Sequence, residues 1–408
     1  MRIRFWAAAA CVVAILSYLG CSQKSNSGSS SSGDIPVGHV ASLTGDTATF
    51  GVSADEGIRL ALDEINQKGV LGGRKFALTT EDDRSLGDEA KTACNKLISR
   101  DHVVAILGEI ASSRSIAMAP VCEDAKIPML SPGSTNPKVT QGFEYVFRNC
   151  FIDPFQGTAM ATYAMKAKPD GLGLKNFGVL YPVNSDYGVG LKTFFENAVK
   201  KNGGQIVAEE AYTEKTDTDF KAQLTKIKAA DPQAIFVSGY YTEAGLIAKQ
   251  AKQLGLDVPL LGGDGWDSDQ TIRIGGGAVN GCYFSNHYSP DEDRREVKKF
   301  VADYKSKYSG KTPDAMAILG YDAMRIMADA INRAGSTDPA KLQKALQETD
   351  LKPEQLMIGY RGVKFDETGQ NTLSATYLIQ LQGKEYKSVW PENRATTKLE
   401  WPMKGWRK

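Results

Sequence analysis

Histidine is scarce in this chain. Only three occur in 408 residues, His39, His102 and His287, each isolated, so no pair stands at the i, i+4 spacing of a helical metal site. The phosphate-cradling glycine patterns are absent as well. The first apolar segment runs into Ser42-Leu43-Thr44-Gly45-Asp46 rather than G-x-G-x-x-G, and neither G-x-x-x-x-G-K-[ST] nor a G-x-S-x-G elbow occurs. Charge of one sign is not in excess: 49 Lys and Arg stand against 48 Asp and Glu, without the basic surplus of a nucleic-acid-binding domain. After residue 19 no run approaches the roughly 20 apolar residues of a spanning helix. Together these absences argue against nucleotide, metal and triad chemistry, and we expect no cofactor. The remaining polar candidates have structural readings: His39 as a core histidine, Asp82-Asp83 as a solvated strand end, Gly275–Gly277 as a loop.

The N-terminus has the form of an export signal. Arg2 and Arg4 precede an apolar stretch over residues 5–19, too short and wrongly flanked to span a membrane. Leu19-Gly20-Cys21 follows, then a Ser/Gly/Asn run to Gly33. This pattern resembles a bacterial lipoprotein signal, which implies removal of residues 1–20, lipidation of Cys21 and a flexible tether over 21–33; plain signal cleavage is the alternative. Without Arg2 and Arg4 the chain carries 47 basic against 48 acidic residues, a net charge of −1. Cys94, Cys122, Cys150 and Cys282 remain, an even number that allows disulfides in an exported protein, with three possible connectivities. We favour Cys94–Cys122, on consecutive helices of one sheet face, and Cys150–Cys282; four buried thiols are the other reading.

Along the chain, apolar strands alternate with amphipathic helices. Residues 35–41 read as a strand, 51–68 as a helix with Ala54, Ile58, Ala61, Leu62 and Ile65 on one stripe, then strand 75–81, helix 88–99, strand 103–107, a helix to about 124 and strand 127–130. A second series runs from strand 177–181 to strand 259–261. Helices at 294–307, 315–333 and 340–347 follow, then strands near 363–365, 375–381 and 386–390. The fold class is therefore α/β, two doubly wound parallel-sheet lobes with the ligand in the cleft between them. We assign residues 34–151 and 283–360 to the first lobe and 152–282 and 361–408 to the second, which makes the chain cross the hinge three times.

In an open parallel sheet ligands bind beyond the carboxyl ends of the strands. Two polar loops occupy such ends: Gly108 to Ser115 (GEIASSRS) and Ser131 to Pro137 (SPGSTNP). Ser112 and Ser113 stand at a helix N-terminus, where free N–H groups favour an anion, and either can serve as a plain N-cap. Gly133 lets its backbone carbonyl approach a ligand. Thr135 both donates and accepts, so it can bridge a carboxylate and an ammonium. In the second lobe, Tyr187 opens a helix, Tyr240 follows strand 234–238, and Asp264 follows strand 259–261. Asp264 can balance an ammonium and Tyr240 can donate to a carboxylate, while Phe50 and Tyr187 give apolar walls.

These pieces resemble the branched-chain amino-acid-binding proteins of ATP-driven (ABC) importers, of the type I periplasmic-binding-protein fold. The likeness runs from Ile35 to Trp390. It rests on Leu43-Thr44-Gly45, Gly57 to Gly69 (GIRLALDEINQKG), Ser131 to Gln141 (SPGSTNPKVTQ), Gln156-Gly157, Tyr187-Gly188 and Gly239 to Gly245 (GYYTEAG). It implies two lobes joined by three crossovers that close on an amino acid. Ser112 and Tyr240 would hold the α-carboxylate, Thr135 the carboxylate and ammonium, the Gly133 carbonyl and Asp264 the ammonium, with Phe50 and Tyr187 flanking the ligand. Asp264 is one methylene shorter than the family's usual Glu. Asp153 matches a position near the family's hinge. The family's disulfide spacing is not reproduced, since no cysteine lies near Asp83. The implied partners are a branched-chain amino acid and a membrane permease, with membrane contact through the lipid alone, no nucleic acid, and a monomeric state. An amino-acid- or amide-sensing module for a receptor and a hydrolase on the same frame are the competing readings.

Overall fold

A computed structural model describes residues 33–398. The signal segment, Cys21 and the tether up to residue 32 lie outside the described residues, as do residues 399–408.

Short apolar strands buried on both faces require helices on both sides of the sheet. The first series supplies them: β1 (Ile35–Ala41), α1 (Ala48–Lys68), β2 (Phe76–Asp82), α2 (Gly87–Ser99), β3 (Ile106–Leu107), α3 (Ser112–Ala125), β4 (Met129–Ser131) and β5 (Val146–Arg148). Every residue of β1 except Pro36 is buried. The strands pair in the order β2-β1-β3-β4-β5, all parallel.

The second series comprises α4 (Asp153–Met165), β6 (Asn176–Pro182), α5 (Asp186–Lys201), β7 (Gln205–Tyr212), α6 (Lys221–Ala229), β8 (Ala234–Val237), α7 (Tyr241–Gln253), β9 (Leu260–Gly262), α8 (Asp269–Gly275) and β10 (Tyr283–Asn286). After it come α9 (Arg295–Lys307), α10 (Ala315–Ala334), α11 (Pro339–Gln347), β11 (Asp350–Leu351), β12 (Val363–Lys364), β13 (Tyr377–Gln382) and β14 (Glu385–Trp390). The second sheet has the order β14-β13-β10-β9-β8-β6-β7; β13 and β14 run antiparallel at its edge. None of the helices among the described residues is long and apolar enough to cross a membrane.

The late helices return to the first lobe because glycines let α10 lie directly on α1. A Cβ on Gly57 would fall 1.8 Å from the Ala317 carbonyl, and one on Gly320 2.4 Å from that of Ala54. The three connecting segments run side by side: Asn371 Nδ2 donates to the Asn149 carbonyl at 3.1 Å, and Thr376 Oγ1 to that of Asn286 at 3.0 Å.

Several expectations need correction. The assignment of residues 283–360 to the first lobe starts too early: Tyr283–Asn286 form β10, which pairs with β9 and β13 in the second sheet, so that crossing follows Asn286. Residues 361–371 stay with the first lobe: β12 pairs with β11, and Arg148 N donates to the Gly369 carbonyl at 3.0 Å. Gly275 ends α8 instead of lying in a loop. The four cysteines are free and buried. Cys94 and Cys122 do face each other from α2 and α3, but at 3.4 Å their sulfurs are in contact without a bond. Cys150 Sγ points to the Ser134 carbonyl at 3.4 Å, whereas Cys282 lies in the core of the second sheet. Those two belong to different lobes and are not paired.

Candidate functional site

The carboxyl ends of β3, β4, β8 and β9 all face the seam between the lobes. α3 starts five residues after β3, and its first serines do not cap it; Ala111 holds the cap position. Ser112 Oγ accepts the Asn136 N–H at 3.1 Å, and Ser113 Oγ accepts that of Asp186, across the seam, at 3.1 Å. The two hydroxyls are thus turned toward the loop after β4 and the start of α5. That second loop is fixed from below by Arg148 of β5. Arg148 is fully buried; Nη1 donates to the carbonyls of Ser134 (2.8 Å) and Asn136 (2.7 Å), and Nη2 to the Pro137 carbonyl (3.1 Å) and Thr140 Oγ1 (3.2 Å).

The seven sequence-derived positions, Phe50, Ser112, Gly133, Thr135, Tyr187, Tyr240 and Asp264, are all buried along this seam. The Tyr187 and Tyr240 rings stack at 5.1 Å and 3°, and Phe50 meets Tyr240 edge-on at 5.7 Å, so an aromatic wall spans both lobes. The space beside Gly133 is apolar: a Cβ there would lie 3.1 Å from Ile110 Cγ2 and 3.5 Å from Met316 Sδ. Thr135 accepts the Asp153 N–H at 2.9 Å through its carbonyl. Asp264 follows β9 in a short 3-10 turn and is bound by Tyr187 Oη and Gln156 Nε2, each 3.0 Å from Oδ1.

Sequence reasoning missed a set of buried polar partners. Gln156 Nε2 also reaches Asp153 Oδ1 at 2.9 Å, linking the hinge carboxylate to Asp264. Burial pushes the Asp153 carboxyl up to about 7, against hydrogen bonds from Thr135 and Gln156 and with Asp264 adding to the rise. His287, dismissed for its isolation, lies with Nε2 3.0 Å from Asp264 Oδ2. The Asp82-Asp83 reading is half wrong, because Asp83 is fully buried. It accepts from Ser42 Oγ at 2.7 Å and shares Arg114 with Glu109, whose carboxylates stand 3.8 and 3.1 Å from Nε. Burial, then Glu109, raises the Asp83 carboxyl to about 7, with Arg114 pulling the other way. His39 is a core residue whose Nδ1 lies 3.0 Å from the Leu107 carbonyl. Burial keeps the Tyr240 phenol well above its ordinary range, so it remains a neutral donor.

The lobes touch directly at this seam. Tyr241 Oη donates to the Asp46 carbonyl at 2.6 Å, Ser268 Oγ to Thr49 Oγ1 at 3.1 Å, and Lys215 Nζ to the Ser85 carbonyl. A two-lobed α/β frame closed over a polar, largely hydroxyl-lined seam is a ligand trap in its geometry. The model of one family, described as periplasmic binding protein, matches residues 34–385. The chain belongs to that family. A Leu/Ile/Val-binding protein homolog of Brucella melitensis is 32% identical over 340 residues, covering 82% of this chain and 88% of the relative. Among solved structures, the leucine-binding protein LivK of Thermotoga maritima is 39% identical with a TM-score of 0.81, covering 87% of this chain and 97% of that one. LivJ of Streptococcus pneumoniae, solved with isoleucine, is 29% identical with a TM-score of 0.79, covering 88% of this chain and all of that one. Members of the family bind solutes for importers outside the cytoplasm and are not enzymes. The chain is accordingly a solute-binding protein of the type I fold, and the hydrolase reading is set aside.

Proposed function

We propose that the protein captures a branched-chain, aliphatic α-amino acid between its lobes by hinge closure and delivers it to an ABC permease. The observation that carries this reading is the pairing of two unlike surfaces at one seam. One is polar: the Ser112 and Thr135 loops of the first lobe, opposite Tyr240 and Asp264 of the second. The other is apolar, made by Phe50, Ile110, Met316 and Tyr187. An amino acid has those same two ends. Ser112, Thr135 and Tyr240 supply donors for the carboxylate, with the first turn of α3 adding free N–H groups. The Gly133 carbonyl, Thr135 and Asp264 receive the ammonium. Buried charges need such partners, and closure brings both lobes' contributions together. Leucine and isoleucine are the ligands named for the structural relatives, which favours the same class here.

The protein is further proposed to act as a monomer held to the membrane by lipid on Cys21, with residues 21–33 as tether. Mass spectrometry of the N-terminal peptide tests this, since a Cys21→Ala chain would be released from the membrane fraction. The ligand assignment is tested by a thermal-shift screen of the mature chain over the amino acids, with turnover assayed for every hit. Stabilisation by leucine, isoleucine or valine without turnover is expected. Stabilisation only by amides or aromatic acids would overturn the class.

A further inference from the structure

Asp264 is 2% exposed, so its charge requires partners, and the protein supplies all of them itself. Oδ1 accepts from Gln156 Nε2 and Tyr187 Oη, both at 3.0 Å, and Oδ2 lies 3.0 Å from His287 Nε2. With the imidazole proton on Nε2, this contact is a hydrogen bond donated to the Asp264 carboxyl oxygen. Each partner is itself held. The His287 ring stacks on Phe151 at 3.6 Å and 19°, and its backbone N–H donates to Asn286 Oδ1 at 2.8 Å. Gln156 Oε1 accepts from Ser285 Oγ at 2.8 Å and from the Asp264 N–H at 3.2 Å.

We propose that His287 is a specificity-determining residue: by giving Asp264 a built-in partner, it lets the cleft take aliphatic α-carboxylates that lack an α-ammonium, namely 2-oxo and 2-hydroxy acids, alongside amino acids. This rests on the reading of the cleft as an α-carboxylate site. A site whose acidic group waits for an ammonium rejects ligands without one, because the buried carboxylate is left unpaired. Discrimination of this kind reaches about 10⁴–10⁵-fold. Here the shorter Asp264 side chain is satisfied by Gln156, Tyr187 and His287 before any ligand arrives. A ligand lacking the ammonium therefore forfeits its contacts to the Gly133 carbonyl, Thr135 and Asp264, but it leaves no buried carboxylate unpaired and does not have an ammonium to desolvate.

Calorimetric titration of the mature chain with leucine and with 4-methyl-2-oxopentanoate tests this. The wild type is expected to bind both, with Kd values within about tenfold of each other, because the desolvation an ammonium requires offsets most of the contacts it makes. His287→Phe keeps a ring for Phe151 but offers no donor, and should widen the ratio of the two Kd values to about a thousandfold. His287→Gln restores an N–H donor and should narrow it again. Because the readout is a ratio within each protein, a general loss of packing does not imitate it. Leucine binding by the wild type with the oxo acid about a thousandfold weaker overturns the inference and leaves the cleft assignment standing. So does a ratio unchanged in His287→Phe. Binding of neither compound overturns the cleft assignment and the inference together.

Discussion

Arg148 makes a quantitative claim about how the second loop is held. Its guanidinium donates four hydrogen bonds, to the Ser134, Asn136 and Pro137 carbonyls and to Thr140 Oγ1. A hydrogen bond to a charged group is worth about 1.5–3 kcal/mol net, so four would give roughly 6–12 kcal/mol if they added. Burying the cation takes several kcal/mol back, which matches the finding that burial lowers the affinity of this guanidinium for its proton. The remainder is about 3–5 kcal/mol. Arg148→Met fills the space, removes the charge and strands the loop carbonyls, so it should cost that amount. With about 5–15 kcal/mol of total stability typical of a domain, the variant stays folded but with a much lower urea midpoint. Arg148→Lys, a single point donor in place of a planar fork, should recover less than half. Because Thr135 lies between two of the pinned carbonyls, leucine should also stabilise the Met variant less than the wild type in a thermal melt. A loss below about 1 kcal/mol in the urea titration would refute the claim that Arg148 organises the loop.

Three further outcomes follow from the same geometry. Asp322 is fully buried and accepts the N–H groups of Met357 (2.7 Å) and Ile358 (2.6 Å); burial raises its carboxyl to about 7 against those bonds. The folded state therefore holds this proton more tightly than the unfolded chain, and its contribution to stability is full below about pH 4 and lost as pH rises through 7. Asp322→Asn should flatten the fall in urea stability between pH 5 and 7.5, leaving the part due to Asp83, Asp153, Glu214 and Asp314, which are displaced in the same direction. An unchanged slope would contradict the assignment. Gly57→Ala, favoured by about 1 kcal/mol in an isolated helix, should instead destabilise by about 1–3 kcal/mol, because its Cβ would meet the Ala317 carbonyl at 1.8 Å; a raised melting temperature would show that α1 and α10 are not so close. Ser112→Ala should weaken amino-acid binding by about 1.5–3 kcal/mol, read by calorimetry, and equal affinity would remove Ser112 from the carboxylate site.

The alternating strands and striped helices were legible because each long element carries its own period. Most strands of both sheets and the α1 stripe follow from it. The elements that escaped are those without one. β5 and β10 are only three and four residues long, and α4 is apolar around most of its circumference because it lies buried at the hinge against α5. The hinge register was missed for the same reason, since β10 had not been seen to extend the second sheet. In the site, residues at strand ends could be found from topology. Gln156 and Asp153 stand out only through the family likeness and His287 not at all, because their roles depend on partners brought from distant segments: Gln156 and Asp264 are 108 residues apart. Asp83 differs from its solvated neighbour Asp82 only in the direction its strand end turns, which no local pattern encodes.

The central claim is that the seam between the lobes holds an aliphatic α-amino acid by both its charged groups. Calorimetric titration of the mature wild-type chain with leucine and with leucinamide tests it most directly, because the two differ only at the carboxylate assigned to Ser112, Thr135 and Tyr240. The account predicts saturable binding of leucine and a loss of at least about a hundredfold for the amide, roughly two charge-assisted hydrogen bonds. Equal affinity for the two, or no heat from any aliphatic amino acid, would contradict it.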